Sequence, residues 1–224
     1  MDDPSVLDTD GVGHLPHLLN SDLESWRHVT KPFFDLEKPG HRIASSLDLA
    51  DLTERLLNKH EVVRVIGSGW RCVRAIAFNK SRQSNWALGW HQDRTIAVKA
   101  RAETDGYTVW SEKSGTPHVE PPFPLLERMV TMRVHLDPVP QDNAPLLAVK
   151  GSHRVGKLAE ARVQQVVAAG EIATCLAEAG DVWVYATPIV HASARSETQG
   201  NRRVIHLDFS RDELPNPLEW AGIA

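Results

Sequence analysis

From residue 62 onward the chain is cut into short β-prone runs, at 62–66, 71–79, 95–101, 128–136, 146–149, 171–176, 182–186 and 203–209. Turn words such as Gly67-Ser68-Gly69, Asp137-Pro138 and Asn143-Ala144-Pro145 separate them. No regular alternation of strand and helix accompanies these runs. That argues against a parallel α/β sheet, whose crossovers need a dozen or more residues and are usually helical. Many short strands with turns between them predict a mainly β chain, a sandwich or barrel of the jelly-roll type. Within it, 157–169 reads as one helix stopped by Gly170. The stretch 104–124, with Gly106, Gly115 and four prolines, reads as a functional loop or lid.

The segment ahead of the strands reads as helical. Residues 1–20, with Gly11, Gly13 and Pro16, look loosely ordered. Ser21-Asp22-Leu23-Glu24 has the form of a capping box and predicts a short helix through Trp26. Residues 31–43 read as a connection. Residues 48–60 place Leu49, Leu52 and Leu56 on one helical face. At 224 residues a single domain is expected, with a helical N-terminal part at 1–60 and a β-rich catalytic core at 61–224.

A formal net charge of -4 argues against a general nucleic-acid binder. The first residues, Met1-Asp2-Asp3-Pro4, lack the layout of a signal peptide, and no apolar run approaches a membrane span. Cys72 and Cys175 are two isolated cysteines without metal-type spacing, which reads as a reducing compartment and small buried hydrophobes. A cytoplasmic protein without nucleic-acid or membrane partners is expected, and a homo-oligomer is compatible with these numbers.

Against that frame, Gly89-Trp90-His91-Gln92-Asp93 stands out. A histidine and an aspartate two residues apart can close on one divalent metal from a strand end. A third ligand is available at His191, at another strand end far along the chain, and a sandwich brings distant strand ends together. Two imidazoles and one carboxylate that leave coordination positions open are the ligand set of non-haem Fe(II) oxygenases. A 2-oxoacid cosubstrate would need a cation for its far carboxylate, and a guanidinium fork suits that geometry. Arg202 and Arg203 compete for the role. Alternation along the strand puts Arg203 with Ile205, Leu207 and Phe209 and Arg202 with His206 and Asp208, so Arg202 is the one expected to face the cavity.

In these words and their order the sequence resembles the phytanoyl-CoA dioxygenase-like Fe(II)/2-oxoglutarate oxygenases. The resemblance is carried by Gly89-Trp90-His91-Gln92-Asp93, Asp142-Asn143-Ala144-Pro145-Leu146, Gly151-Ser152-His153-Arg154, Gly180-Asp181-Val182-Trp183 and His191-Ala192-Ser193 through Gly200-Asn201-Arg202. It implies a double-stranded β-helix (jelly roll, cupin-like) with flanking N-terminal helices. It also implies Fe(II), 2-oxoglutarate and O2 as cofactor and cosubstrates, Arg202 and Ser193 as ligands of the far carboxylate, and a hydroxylation that releases succinate and carbon dioxide. Halogenating relatives lack the carboxylate that stands here as Asp93, so its presence favours hydroxylation. Ala144 occupies a turn position where the family usually has glycine.

The substrate is expected to be a compact small molecule, and Arg133, Trp90, Trp110 and His206 are the residues expected to meet it. For Arg133 a structural ion pair is an equal alternative. Tyr107 joins Trp90 and Trp110 as a possible pocket wall, whereas Trp86, Trp183 and Trp220 read as packing, and His153 as structural. Two rival functions use the same residues: a cupin-like metal-dependent hydrolase or isomerase, and a non-catalytic small-molecule binding protein. The intact ligand set and Arg202 count against the second.

Overall fold

The computed structural model describes residues 5–34, 38–198 and 200–224; the acidic start at 1–4 and part of the expected connection at 31–43 lie outside them. The chain is mainly β and antiparallel. One sheet of six strands runs β1 (Val12–Leu15), β11 (Val182–Ala186), β8 (Val130–His135), β13 (Arg202–Ser210), β3 (Arg71–Lys80), β2 (Gly40–Ile43). A second, of four strands, runs β10 (Ile172–Cys175), β9 (Leu146–Val149), β12 (His191–Ser193), β4 (Leu88–His91). The order in which strands from both halves of the chain interleave is that of a double-stranded β-helix. A third, small sheet is built from β5 (Ile96–Ala97), β7 (Thr116–Glu120) and β6 (Thr108–Lys113).

Alternation along β13 organises the layers. Ile205, Leu207 and Phe209 are fully buried in one apolar core with Met132 and Val134 of β8 and with Leu49, Leu52 and Leu56 of α3 (Leu47–Leu57). Burying such side chains contributes roughly 1.5–3 kcal/mol each. α3 starts where Ser46 accepts the Leu49 N–H at 3.2 Å, so its apolar stripe meets the sheet. The opposite face of β13, with Arg202, His206 and Asp208, looks toward the second sheet. Between the sheets a smaller core joins Val12 and Tyr185 to Leu146, Ala148 and Cys175.

Several expectations from sequence are corrected. Residues 62–66 are not a strand but lie in the helix α4 (His60–Ile66), with Gly67 at φ 74 as its C-cap. Propensity of a β-branched run is a weak prior, and burial of Val62 at 0 % exposure against the α3 core overrides it. Residues 5–20, expected to be loosely ordered, are built into the fold: α1 (Ser5–Thr9) leads into β1, which pairs with β11 along the edge of the larger sheet. Asp181, from the Gly180-Asp181-Val182-Trp183 word, fastens it by accepting the His17 N–H at 2.7 Å and the His14 Nε2–H at 2.9 Å. The capping box does not form, because α2 (Leu23–Thr30) has Asp22 at its N-cap and Glu24 pairs with Arg27.

The expected run 95–101 contributes only Ile96 and Ala97 to a strand. The expected lid at 104–124 contains the hairpin β6–β7, closed by Ser114 and Gly115 at φ 55 and 78, the left-handed pair of a type I′ turn. Among the described residues no helix is long and apolar enough to cross a membrane.

Candidate metal centre

β4 ends on His91 and β12 begins on His191, and the two are direct cross-strand partners. That register sets their ring centroids 4.3 Å apart. Asp93 follows just beyond the strand end, its Oδ1 3.8 Å from His91 Nε2. One ligand atom from each of His91, Asp93 and His191 falls within 4.8 Å of the other two, a span that an ion about 2 Å from each ligand can draw together.

Each imidazole is aimed by its own strand. His91 Nδ1–H donates to the Gly89 carbonyl at 2.8 Å and His191 Nδ1–H to the Ile189 carbonyl at 3.0 Å. A carbonyl only accepts, so the neutral rings carry their proton on Nδ1 and keep the Nε2 lone pair free for a metal. Burial lowers His191 to about 4 despite the opposing charge of Asp93, so the ring is neutral at neutral pH. Burial would raise the Asp93 carboxyl, but His191, Arg74 and His206 outweigh it and hold it below its usual range.

Two buried polar side chains fasten the ligand-bearing segments. Gln92 donates to the Pro188 carbonyl at 2.9 Å and the Gly156 carbonyl at 3.1 Å, and accepts the Leu158 N–H at 2.9 Å. Ser152 donates to the Val149 carbonyl at 2.7 Å and accepts the Val190 N–H at 2.8 Å, which pins the residue before His191. The Gly151-Ser152-His153-Arg154 word therefore shapes a turn, with Gly151 at φ 70 and His153 packed on Gly11.

The three residues open into a cavity of about 350 Å³ between the two larger sheets. At one end, Arg202 and Lys80, 3 % and 1 % exposed, converge on the Ser193 hydroxyl. Lys80 Nζ donates to Ser193 Oγ at 2.8 Å and also to the Ala194 carbonyl; Arg202 Nη1 lies 3.3 Å from Ser193 Oγ and donates to the Ala144 carbonyl. Arg133 lines the same cavity. Among the described residues no carboxylate pairs with Lys80, Arg133 or Arg202. Burial first, then mutual repulsion, lowers Lys80 to about 7 and Arg202 to about 9.

The sequence matches the phytanoyl-CoA dioxygenase (PhyH) family over residues 6–204. The chain belongs to that family. No curated protein sequence matches it significantly. Solved structures share its fold at low sequence identity. AviO1 from Streptomyces viridochromogenes Tue57 has a TM-score of 0.65 at 18 % identity, with 95 % of each chain covered. SnoN, a non-heme alpha ketoglutarate dependent epimerase from nogalamycin biosynthesis, has a TM-score of 0.63 at 15 % identity, covering 92 % of this chain and 79 % of that one. HygX from Streptomyces hygroscopicus, solved with nickel, 2-oxoglutarate and hygromycin B bound, has a TM-score of 0.58 at 17 % identity, covering 92 % and 84 %.

In this PhyH chain the structure sorts the remaining residues. Arg203 leaves on the far face of β13 and grips Asp137 through Nε at 2.9 Å and Nη2 at 2.6 Å. His206 lines the cavity, where Asp208 accepts its Nε2–H at 3.1 Å and its Nδ1 has no hydrogen-bond partner. Asp208 also accepts from Thr131 at 2.8 Å and from Arg74. Burial alone would raise its carboxyl, but Arg74 and His206 hold it well below the usual range.

Two aromatic expectations are corrected. Trp90 packs on Val149, Leu158, Val163 and Val190, beside α6 (Glu160–Ala169), and Trp110 packs on a separate core with Arg101 over its ring; neither lines the cavity. Tyr107 is buried in the same core as Trp110. Trp86, read as packing, lines the cavity instead, as does Phe78. Lys80 is the residue that sequence reasoning missed. It falls one residue past the run 71–79 read as strand, and the signal was its place two residues beyond Phe78 in the inward-facing row of β3.

Proposed function

We propose that the protein is an Fe(II)- and 2-oxoglutarate-dependent oxygenase that hydroxylates a small molecule. His91, Asp93 and His191 would hold the iron, and Arg202, Ser193 and Lys80 the far carboxylate of 2-oxoglutarate. One observation carries the reading: a two-histidine, one-carboxylate cluster shares its cavity with three buried cations that have no anion of their own. Leaving a charge buried and unpaired costs several kcal/mol, about 3–5 kcal/mol in measured pairs, and an acidic ligand offsets that cost. HygX, which shares the fold, was solved with 2-oxoglutarate, and that supports the choice of acid.

Iron with 2-oxoglutarate and O2 supplies an oxidant able to break a substrate C–H bond, with succinate and carbon dioxide as co-products. The chain's share is placement. The Nδ1–H bonds to backbone fix both imidazoles before any metal arrives, and Gln92 holds the His91–Asp93 turn against the approach to His191. The Arg202 fork and the Lys80 ammonium fix one end of the cosubstrate so that its other end is delivered to the cluster. Phe78 and Trp86 narrow the cavity on that side and limit water. Asp93 fills the position that a halogenating relative leaves to a halide, which favours transfer of a hydroxyl group.

SnoN is an epimerase on the same fold, so the product has to be read directly. A library of small metabolites screened for 2-oxoglutarate-dependent succinate release, with mass analysis of the substrate, tests the reading. A gain of one oxygen is expected. Succinate release without it would replace hydroxylation by another oxidation, and oxygen-independent turnover without succinate would point to a hydrolase or isomerase.

A further inference from the structure

Along β3 the residues that line the cavity read Arg74, Ile76, Phe78, Lys80: a cation, two apolar side chains, a cation. At about 3.3 Å per residue this row spans roughly 20 Å, so its two charged ends serve different groups. The Lys80 end belongs to the cosubstrate cradle. At the Arg74 end two further cations arrive from other elements: Arg42 of β2, the register partner of Ile76, and Lys113, the last residue of β6.

Arg74 is answered by Asp208. Arg42 and Lys113 are not. Among the described residues no carboxylate pairs with either, Arg42 Nε is buried without a hydrogen-bond partner, and Lys113 Nζ reaches only Thr95 Oγ1, at 3.4 Å. Burial and the neighbouring guanidinium of Arg74 push both below their ordinary values. The acidic group that Lys113 does feel is Asp93, already committed to the metal cluster. A groove of about 180 Å³ also runs under the β6–β7 hairpin from this end, and Arg42 and Arg74 line both spaces. Like charges gathered from three strands repel one another and gain nothing by meeting, unless an anion sits between them.

We infer that the substrate is a small organic acid whose carboxylate or phosphoryl oxyanion is held by Arg42 and Lys113, an inference that rests on the oxygenase reading above. Ile76 and Phe78, between the two charged ends, give its body an apolar wall. Lys113 sits next to a tight turn, so the hairpin presents it from a fixed position.

The test uses the full chain, loaded with Fe(II) in the absence of oxygen and saturated with 2-oxoglutarate so that the Arg202 end is filled. It is titrated calorimetrically with inorganic phosphate, with butyrate and with butyramide. At least one anion should bind and butyramide should not; the stronger anion tells a phosphoryl from a carboxylate substrate. Arg42→Gln and Lys113→Gln should each weaken that anion at least tenfold, with 2-oxoglutarate binding and melting temperature unchanged. Lys113→Arg should retain it. No anion binding, equal binding of butyramide, or affinities unmoved by both glutamine variants would overturn the inference. Intact 2-oxoglutarate binding in the same protein would then leave the oxygenase reading standing. Failure to bind iron and 2-oxoglutarate would sink that reading instead, while anion binding that still depended on Arg42 and Lys113 would keep the acid site.

Discussion

Arg202 and Lys80 are cross-strand partners in the β13–β3 ladder, and both side chains end at the Ser193 hydroxyl without a carboxylate to meet them. Arg203, one residue on, is the contrast: it already has a bidentate partner in Asp137 on the other face. Arg202→Ala should therefore raise the 2-oxoglutarate Kd by at least ~30-fold, a loss of about 2–5 kcal/mol, with metal affinity nearly intact. Because Arg202 is uncompensated in the free protein, Arg202→Met should leave the melting temperature of the ligand-free chain unchanged or higher. Arg203→Ala should lower stability slightly and leave 2-oxoglutarate binding alone. Calorimetric titration of the three variants decides, and a silent Arg202→Ala beside a damaged Arg203→Ala would assign the cradle to the wrong arginine.

The same pair predicts a pH dependence. Burial, Arg202 and Arg133 bring Lys80 down to about 7 in the free protein. A bound carboxylate favours its charged form, so above pH 7 binding must take up a proton and weakens as pH rises, by up to about tenfold per pH unit. Below pH 7 the lysine is already charged and affinity levels off. In Lys80→Met the slope between pH 7 and 9 should shrink, with weaker binding throughout. A slope unchanged by that substitution would remove Lys80 from the cradle.

What was legible in the sequence was whatever two-residue alternation or short spacing encodes. β13 assigned its own faces, which is why Arg202 separated from Arg203, and the histidines fell at strand ends that antiparallel pairing joins. What escaped depends on long-range packing. Lys80 fell just outside the run 71–79 because its neighbour across the ladder comes from the far end of the chain. Residues 62–66 looked like a strand until the α3 core claimed Val62. Trp90, beside His91, faces α6, whereas Trp86 turns inward, and no local pattern separates the two.

Ala144 adopts φ 51 while 3 % exposed, and its carbonyl accepts from both Arg202 and Ser193. A left-handed conformation costs an L-residue about 1–2 kcal/mol, and glycine avoids most of it. Ala144→Gly, the residue usual in the family, should raise stability by about 1 kcal/mol after its larger unfolded-state entropy is set against the relief. For a chain of this size that is roughly 2–4 °C in Tm. 2-Oxoglutarate affinity should stay the same, because the carbonyl keeps its place. A lower Tm would show that the turn is not strained.

His135 sets an acid limit on the fold. It is 2 % exposed, neither ring nitrogen has a hydrogen-bond partner, and burial together with Arg133, Arg202 and His14 lowers it well below 6.5. Unfolded, it titrates near 6.5. Below that pH the unfolded chain binds a proton that the folded chain refuses, so stability falls as pH falls, by up to about 1.4 kcal/mol per pH unit from this residue. His118 and His191, each lowered to about 4, act in the same direction. Asp208 is held low, so its contribution is lost only as pH drops through a folded value far below this window. Urea unfolding of metal-free protein between pH 7 and 5 should show a steep loss, and His135→Leu should remove about one proton's share of the slope. Equal slopes in the two proteins would mean that His135 is protonated in the fold.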